Sequence, residues 1–281
     1  MIRKRSKAIK RRGVIIVSIS VLLAASLTLW THLAEREVHY TPKYAMADIS
    51  NYLEHETLME EEYGFLYRQT GVSPVGIDTL WESGRSREML VAQQNYFARV
   101  SARCEQDFLL FREELTQPRQ IILPILEDGD ILITFNSHFL GWRNGHAAIV
   151  IDAVEGQTLE AITIGTDSEV RSVNGWGRYP SYAVLRLTGA SEEERAQIAD
   201  YAKEALVAIP YRLTAGLWDG IQTKGAKGTL LGTHCAHLVW YAYREFGYDL
   251  DSDGGLIVTP YDLYESPLLE VVQVYGMPIP S

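Results

Sequence analysis

Cysteine is nearly absent from this chain: 281 residues carry two, Cys104 and Cys235. Two thiols cannot build a disulfide framework, so the fold rests on its core; a single bridge between them stays open, and would remove Cys235 as a nucleophile. Also missing are a GxSxG elbow, a glycine-rich phosphate loop and an HExxH pair, since His55-Glu56 is followed by Leu58-Met59. These absences set aside serine-elbow hydrolysis, P-loop nucleotide chemistry and helix-borne zinc peptidase chemistry. No internal repeat and no low-complexity tract interrupts the chain.

Basic charge is scarce beyond the first dozen residues. Seven of the 26 Lys and Arg fall in residues 1–12, which hold no Asp or Glu, leaving 19 basic against 36 acidic residues in the remainder. That acidic body repels phosphates, which excludes nucleic acid as a partner held by bulk electrostatics.

The basic run is followed by GVIIVSISVLLAASLTLW, Gly13 to Trp30, without a charge. At about 1.5 Å per residue this run is just long enough to cross a hydrocarbon core of roughly 30 Å, with Trp30 at the far interface. The basic excess places residues 1–12 in the cytoplasm as a tail, residues 13–31 as a single-pass anchor, and Glu35 onward outside. A cleaved signal peptide with Ala24-Ala25-Ser26 as its small residues is the competing reading, and it too exports the body.

Residues 32–46 read as a spacer and residues 47–118 as a helical segment. Helices are expected over Ala47 to Gln69, after Ser73 and Pro74 in N-cap and N1 positions, and over Ser86 to Leu115. In the last of these Phe97, Val100, Cys104, Phe108, Phe111 and Leu115 recur at three- and four-residue steps, an apolar stripe that makes Cys104 a buried hydrophobe. Beyond Pro118 and Pro124 the period changes. Short runs at Asp130 to Phe135, His146 to Asp152, Thr158 to Ile164, Glu169 to Val173 and Ser181 to Leu187 predict a small, largely antiparallel sheet. Two helices follow: one capped by Ser191 with Glu194 three residues on, and one running from Cys235 to Phe246 with Gly247 as its stop. The segment LLEVVQVYG adds a last strand. The fold class is therefore α+β.

Three residues in this pattern suit covalent catalysis. Cys235 sits in the first turn of an apolar helix, where unpaired N–H groups and the positive dipole end lower a thiol pKa. His146 opens an apolar strand and so lies at a sheet rim; Glu160 lies on the next strand between Leu159 and Ala161. Together they offer a nucleophile, a base and an acid that fixes the imidazole tautomer, in the chain order His, Glu, Cys. Each also has a plain structural reading: a buried thiol, a half-buried histidine bonded to backbone, and a carboxylate on a solvent face. His234, Cys235 and His237 put three metal-capable side chains within four residues, but neighbouring positions point to different faces of a helix and no second ligand pair has zinc-site spacing. Asp249, Asp251, Asp253 and Gly254 copy half of a calcium loop whose twelfth position is Pro260, which cannot ligate. No metal and no cofactor is expected.

The motifs GDILIT at Gly129 to Thr134, GHAAIV at Gly145 to Val150, TLEA at Thr158 to Ala161, Pro210-Tyr211, HCAHLVWYAYREFGYDLD from His234 and TPYDLYESP at Thr259 to Pro267 occur in the order seen in one family. Over roughly residues 119–270 the chain resembles the permuted, YiiX/YycO-like branch of the NlpC-type papain-fold cysteine hydrolases. The resemblance implies a circularly permuted papain-like catalytic domain over 119–281, with Cys235 as nucleophile, His146 as base and Glu160 as the orienting residue. It implies Tyr211 beside the site, in substrate positioning, oxyanion support or packing. It departs from the family at Ala236 and His237, where a serine usually follows the cysteine. The expected activity is cleavage of an amide, with cell-wall peptide (peptidoglycan) as the substrate class; acyl transfer or lipid and ester hydrolysis at the same site, and a non-catalytic binding module, are the alternatives.

Overall fold

The computed structural model describes residues 14–26, 29, 39–107, 110–139, 142–216, 224–225 and 229–280. Residues 14–26 are helical; apart from Leu29, the rest of the expected anchor and all of the basic tail lie outside the described residues. Among the described residues no helix is long and apolar enough to cross a membrane.

Local chemistry starts the first helices later than periodicity alone suggests. Instead of a helix from Ala47 there is a short 3-10 turn, Ser50–Glu54, and then α1, Glu60–Thr70. Met59 is extended, and the Glu62 carboxylate accepts its N–H at 2.8 Å, fixing the helix start there. Three glutamates in the first turn favour that start, because they face the positive end of the helix dipole. Gly71 ends α1 at φ 71°, and a Cβ there would lie 2.1 Å from the Val274 carbonyl oxygen, so the chain reverses on glycine. Ser73 caps α2, Pro74–Glu82, and α3 spans Glu88–Phe97.

The long helix expected to continue to Leu115 stops at Phe97. Ala98 is extended, and β1, Ala102–Asp107, pairs antiparallel with β2, Leu110–Leu115. Spacing of three and four also suits two strands folded on one another, and long-range partners decide between the two. Strand β2 pairs with β4, Ser137–Phe139, which pairs with β5, Trp142–Arg143. The Glu113 carboxylate of β2 is held by His39, His138 and Arg143 together. Cys104 is consequently exposed, not part of a buried stripe; Phe108 lies outside the described residues.

The main sheet is six-stranded and antiparallel. It uses β3, Ile131–Thr134, β6, His146–Asp152, β7, Gln157–Glu160, β8, Glu169–Ser172, β9, Tyr182–Leu187, and β12, Leu269–Tyr275, in the order β12-β9-β3-β6-β7-β8. A two-stranded ribbon, β10 Lys224–Gly225 and β11 Thr229–Leu230, stands apart. Strands β3, β6 and β9 are buried along nearly their whole length, as strands covered on both faces must be. Helix α4, Glu192–Ala205, begins where Ser191 accepts the Glu194 N–H at 3.2 Å. It packs on β6 beside α5, Cys235–Arg244, while α2 packs on β12 and the short α6, Pro260–Tyr264, on β3.

One apolar core crosses residue 118. Leu66, Ile77, Leu80 and Met89 belong to the same buried cluster as Ile131, Val184 and Val272, so the helical segment is packed onto the sheet. Within this core Arg186 donates from Nε and Nη2 to the two Asp130 oxygens, each at 2.8 Å, and Asp130 is fully buried. A bidentate pair satisfies both charges where water cannot reach them.

Candidate active site

The register of the central strands determines which side chains meet at the sheet rim. Strands β6 and β7 pair Ile149 with Leu159 and Val150 with Thr158. Continuing that antiparallel register sets Glu160 opposite Ala148, and strand alternation puts His146 on the same face, one diagonal step away. The side chains meet: His146 Nε2 and Glu160 Oε2 are 2.8 Å apart. Gly145, at φ 72°, delivers His146 into the strand from a turn whose tight contact with the Thr134 carbonyl leaves no room for a Cβ.

Cys235 reaches the same place from the helix. It opens α5, which packs across β6, the strand that carries His146, and the thiol and imidazole are close enough for each to shift the other's pKa. With Nε2 engaged by Glu160, Nδ1 is the ring nitrogen left to meet the sulfur. Cys235, His146 and Glu160 are only 9%, 8% and 2% exposed, so the three polar groups depend on one another for solvation. Both cysteines of the chain are free.

Electrostatics at the site follow from that mutual dependence. Burial pushes the Cys235 thiol up, but the contacts with His146 and His234 outweigh it and bring the thiol down to about 5. Burial pushes His146 down, and its partners Cys235 and Glu160 outweigh it, raising the imidazole to about 9. Near neutral pH the stable form is therefore a thiolate facing an imidazolium. Glu160 is also pushed up by burial, yet hydrogen bonds from His146, Thr158 and Trp176 hold it below the usual carboxylate range.

Two residues at this site have no counterpart in the sequence reading. Thr158 Oγ1 and Trp176 Nε1 both donate to Glu160 Oε1, at 2.8 and 3.0 Å, fixing the carboxylate that in turn fixes the imidazole. The Trp176 ring also stacks on His146, with centroids 5.4 Å apart and planes inclined by 22°. Thr158 was readable in principle, lying two residues before Glu160 and hence on its face of the strand. Trp176 was not, since it arrives from a 3-10 turn, Val173–Arg178, that has no periodic relation to the sheet.

The structure brings Tyr211 close to Cys235. Tyr211 pairs with Thr233 in a parallel bridge, with Thr233 N–H donating to the Pro210 carbonyl at 3.0 Å and Arg212 N–H to the Thr233 carbonyl at 2.7 Å. That bridge lies two residues before Cys235. Burial, with the neighbouring Cys235 charge adding to it, pushes the Tyr211 phenol well above its ordinary range, so it remains a protonated donor.

No family model and no curated protein matches the chain. It is similar to the solved structure of the metalloprotein YiiX from Escherichia coli O157:H7, at 17% identity and a TM-score of 0.41, over 55% of this chain and 98% of that one.

The remaining candidates have local roles. His234 caps α5, its Nδ1 accepting the His237 N–H at 3.4 Å, and His237 Nδ1 lies 3.1 Å from Thr233 Oγ1. Among the described residues one set of acidic side chains clusters closely enough for a metal, Asp251, Asp253 and Asp262. Each accepts a backbone N–H of its own turn, from Gly254, Gly255 and Thr259 respectively.

Proposed function

We propose that the protein is a membrane-anchored, extracytoplasmic thiol hydrolase on a permuted papain-like fold, cleaving an amide bond of cell-wall peptides. The observation that carries this reading is the chain of contacts from Cys235 through His146 to Glu160, which joins a helix start to two adjacent strands and favours an ionised thiol. The uncharged run from Gly13 to Trp30, preceded by seven basic residues, supports an uncleaved anchor with the site outside.

In the proposed reaction the Cys235 sulfur bonds to the carbonyl carbon while the C=O electron pair moves onto oxygen. The C–N bond then breaks, and the leaving nitrogen takes the proton from His146 Nδ1, giving a thioester and a neutral imidazole. Water adds to the thioester as His146 takes its proton, and the C–S bond breaks to return the thiolate. Glu160 holds the ring so that Nδ1 faces sulfur throughout, and Tyr211 positions the substrate through its neutral phenol.

The test is incubation of the full-length chain in detergent with cell-wall muropeptides, reading new amine and carboxylate ends by mass spectrometry. Cleavage that disappears in Cys235→Ala is expected. Equal cleavage by both proteins, or none by either, contradicts the reading.

A further inference from the structure

Helix α5 carries a polar face that the mechanism above leaves unused. Cys235 opens the helix, which packs on β6, whereas His237, Trp240 and Arg244 follow at steps of three and four and so share one other face. That face lines a cavity of about 170 Å³, together with Gly216 and, from the loop after the helix, Asp251 and Val258. One water occupies roughly 30 Å³, so the cavity has room for a small organic molecule and none for a nucleotide or a length of peptide.

Its walls are tied to one another. The Trp240 indole donates to Asp249 Oδ1 at 2.8 Å and carries the Arg244 guanidinium over its ring at 4.6 Å. His237 packs beside the same indole, with ring centroids 5.4 Å apart. The Asp249 oxygen also accepts the Asp251 N–H, at 3.3 Å, which joins the acidic wall to the aromatic one.

Three groups on these walls lack the partner each needs. The Thr233 hydroxyl gives its one proton to the His234 carbonyl, so at its 3.1 Å contact with His237 Nδ1 it accepts, and the ring proton sits on Nδ1. His237 Nε2 is then a bare acceptor, buried and without a hydrogen-bond partner among the described residues. Burial, with the neighbouring His234 and Arg244 charges adding to it, pushes His237 down to about 3 and keeps that lone pair free. The ring edge that bears it faces Gly216, another residue of the cavity, where an added Cβ would lie 3.7 Å from Nε2. Arg244 makes no ion pair among the described residues, although Asp251 lines the same cavity. Asp251 accepts the Gly254 N–H through Oδ1, and burial, with Asp262 adding to it, raises its carboxyl. The cavity therefore offers one cationic donor fork and two acceptors that call for N–H groups, and buried polar groups are rarely left unmet.

We propose that this cavity binds a small free amino acid, its carboxylate on Arg244 and its ammonium donating to Asp251 and His237 Nε2. An anion alone leaves Nε2 and Asp251 unmet, and an amine alone leaves Arg244 unmet and faces its charge. Trp240 and Val258 bound the space for a short side chain. No covalent step is involved, and the site stands whether or not Cys235 is a nucleophile.

The test is isothermal titration of the full-length chain in detergent, with EDTA present so that no metal ion contributes. The probes are glycine, alanine, acetate and methylamine. Glycine and alanine should bind, with acetate and methylamine at least about tenfold weaker. Arg244→Met, Asp251→Asn and His237→Leu should each weaken glycine binding by about 10- to 100-fold. If circular dichroism shows that His237→Leu does not fold, the two variants nearer solvent decide. Absence of binding by both amino acids, acetate or methylamine binding as tightly as glycine, or glycine binding undiminished in Arg244→Met and Asp251→Asn overturns the proposal.

Discussion

Replacing His146 with alanine tests whether the imidazole is what ionises Cys235. In the native site the thiol sits at about 5, so about nine-tenths of it is thiolate near pH 6. Without the imidazole the thiol loses its main partner and moves up toward about 8.5, with His234 still opposing; at 8.5 the ionised fraction near pH 6 is roughly 0.3%, which sets the loss at no more than about 300-fold. The more basic thiolate is intrinsically more nucleophilic; with a Brønsted slope of about 0.45 over that change it regains roughly 40-fold. The net expectation is an alkylation rate about tenfold lower near pH 6, with the variant overtaking the native protein once its own thiol is ionised. The assay is iodoacetamide labelling across pH, read peptide by peptide, with exposed Cys104 as an internal control. The midpoint for Cys235 should move from about 5 toward the ordinary cysteine range. A midpoint that stays near 5 in His146→Ala refutes the argument.

Turnover should follow a bell against pH: it rises as the thiol ionises through about 5 and falls as His146 loses its proton through about 9, and a profile still rising beyond that upper limit contradicts the ion-pair assignment. Glu160→Gln keeps an acceptor for Thr158 and Trp176 but donates an N–H to His146 Nε2, forcing the ring proton onto Nδ1; kcat should fall on the order of 10³-fold with folding preserved, as judged by circular dichroism. Gly145→Ala places a Cβ 2.4 Å from the Thr134 carbonyl oxygen at a positive φ; a loss of about 1–3 kcal/mol is expected in urea unfolding, with the Cys235 alkylation midpoint moving upward as His146 is displaced. Arg186→Met leaves the fully buried Asp130 carboxyl without its partner, which should cost about 3–5 kcal/mol in the same assay, and adding Asp130→Leu should recover much of it.

The central strands were legible because they are short apolar runs bounded by glycine and polar turns: β6 spans His146–Asp152, as its pattern indicates. Helix α4 begins at its Ser191 cap and α5 at Cys235 for equally local reasons. What escaped was decided at long range. The stretch from Ala102 to Leu115 carries a spacing that a helix accommodates, yet pairing with β4 and the grip of His39, His138 and Arg143 on Glu113 hold β1 and β2 as antiparallel strands. The segment from Ala47 lost its helix to a cap at Met59 that Glu62 completes from within the next turn. At the site, the meeting of His146 with Glu160 follows from strand alternation once the register is known, whereas the Trp176 ring over His146 is a tertiary contact with no local signature.

The central claim is that Cys235 carries the acyl group. Full-length protein mixed briefly with p-nitrophenyl acetate and quenched in acid should show, by intact mass and peptide mapping, one acetyl group on Cys235 that hydroxylamine removes and that Cys235→Ala lacks. Acetylation confined to other residues, or a Cys235 left unmodified while ester is consumed at the wild-type rate, contradicts the account.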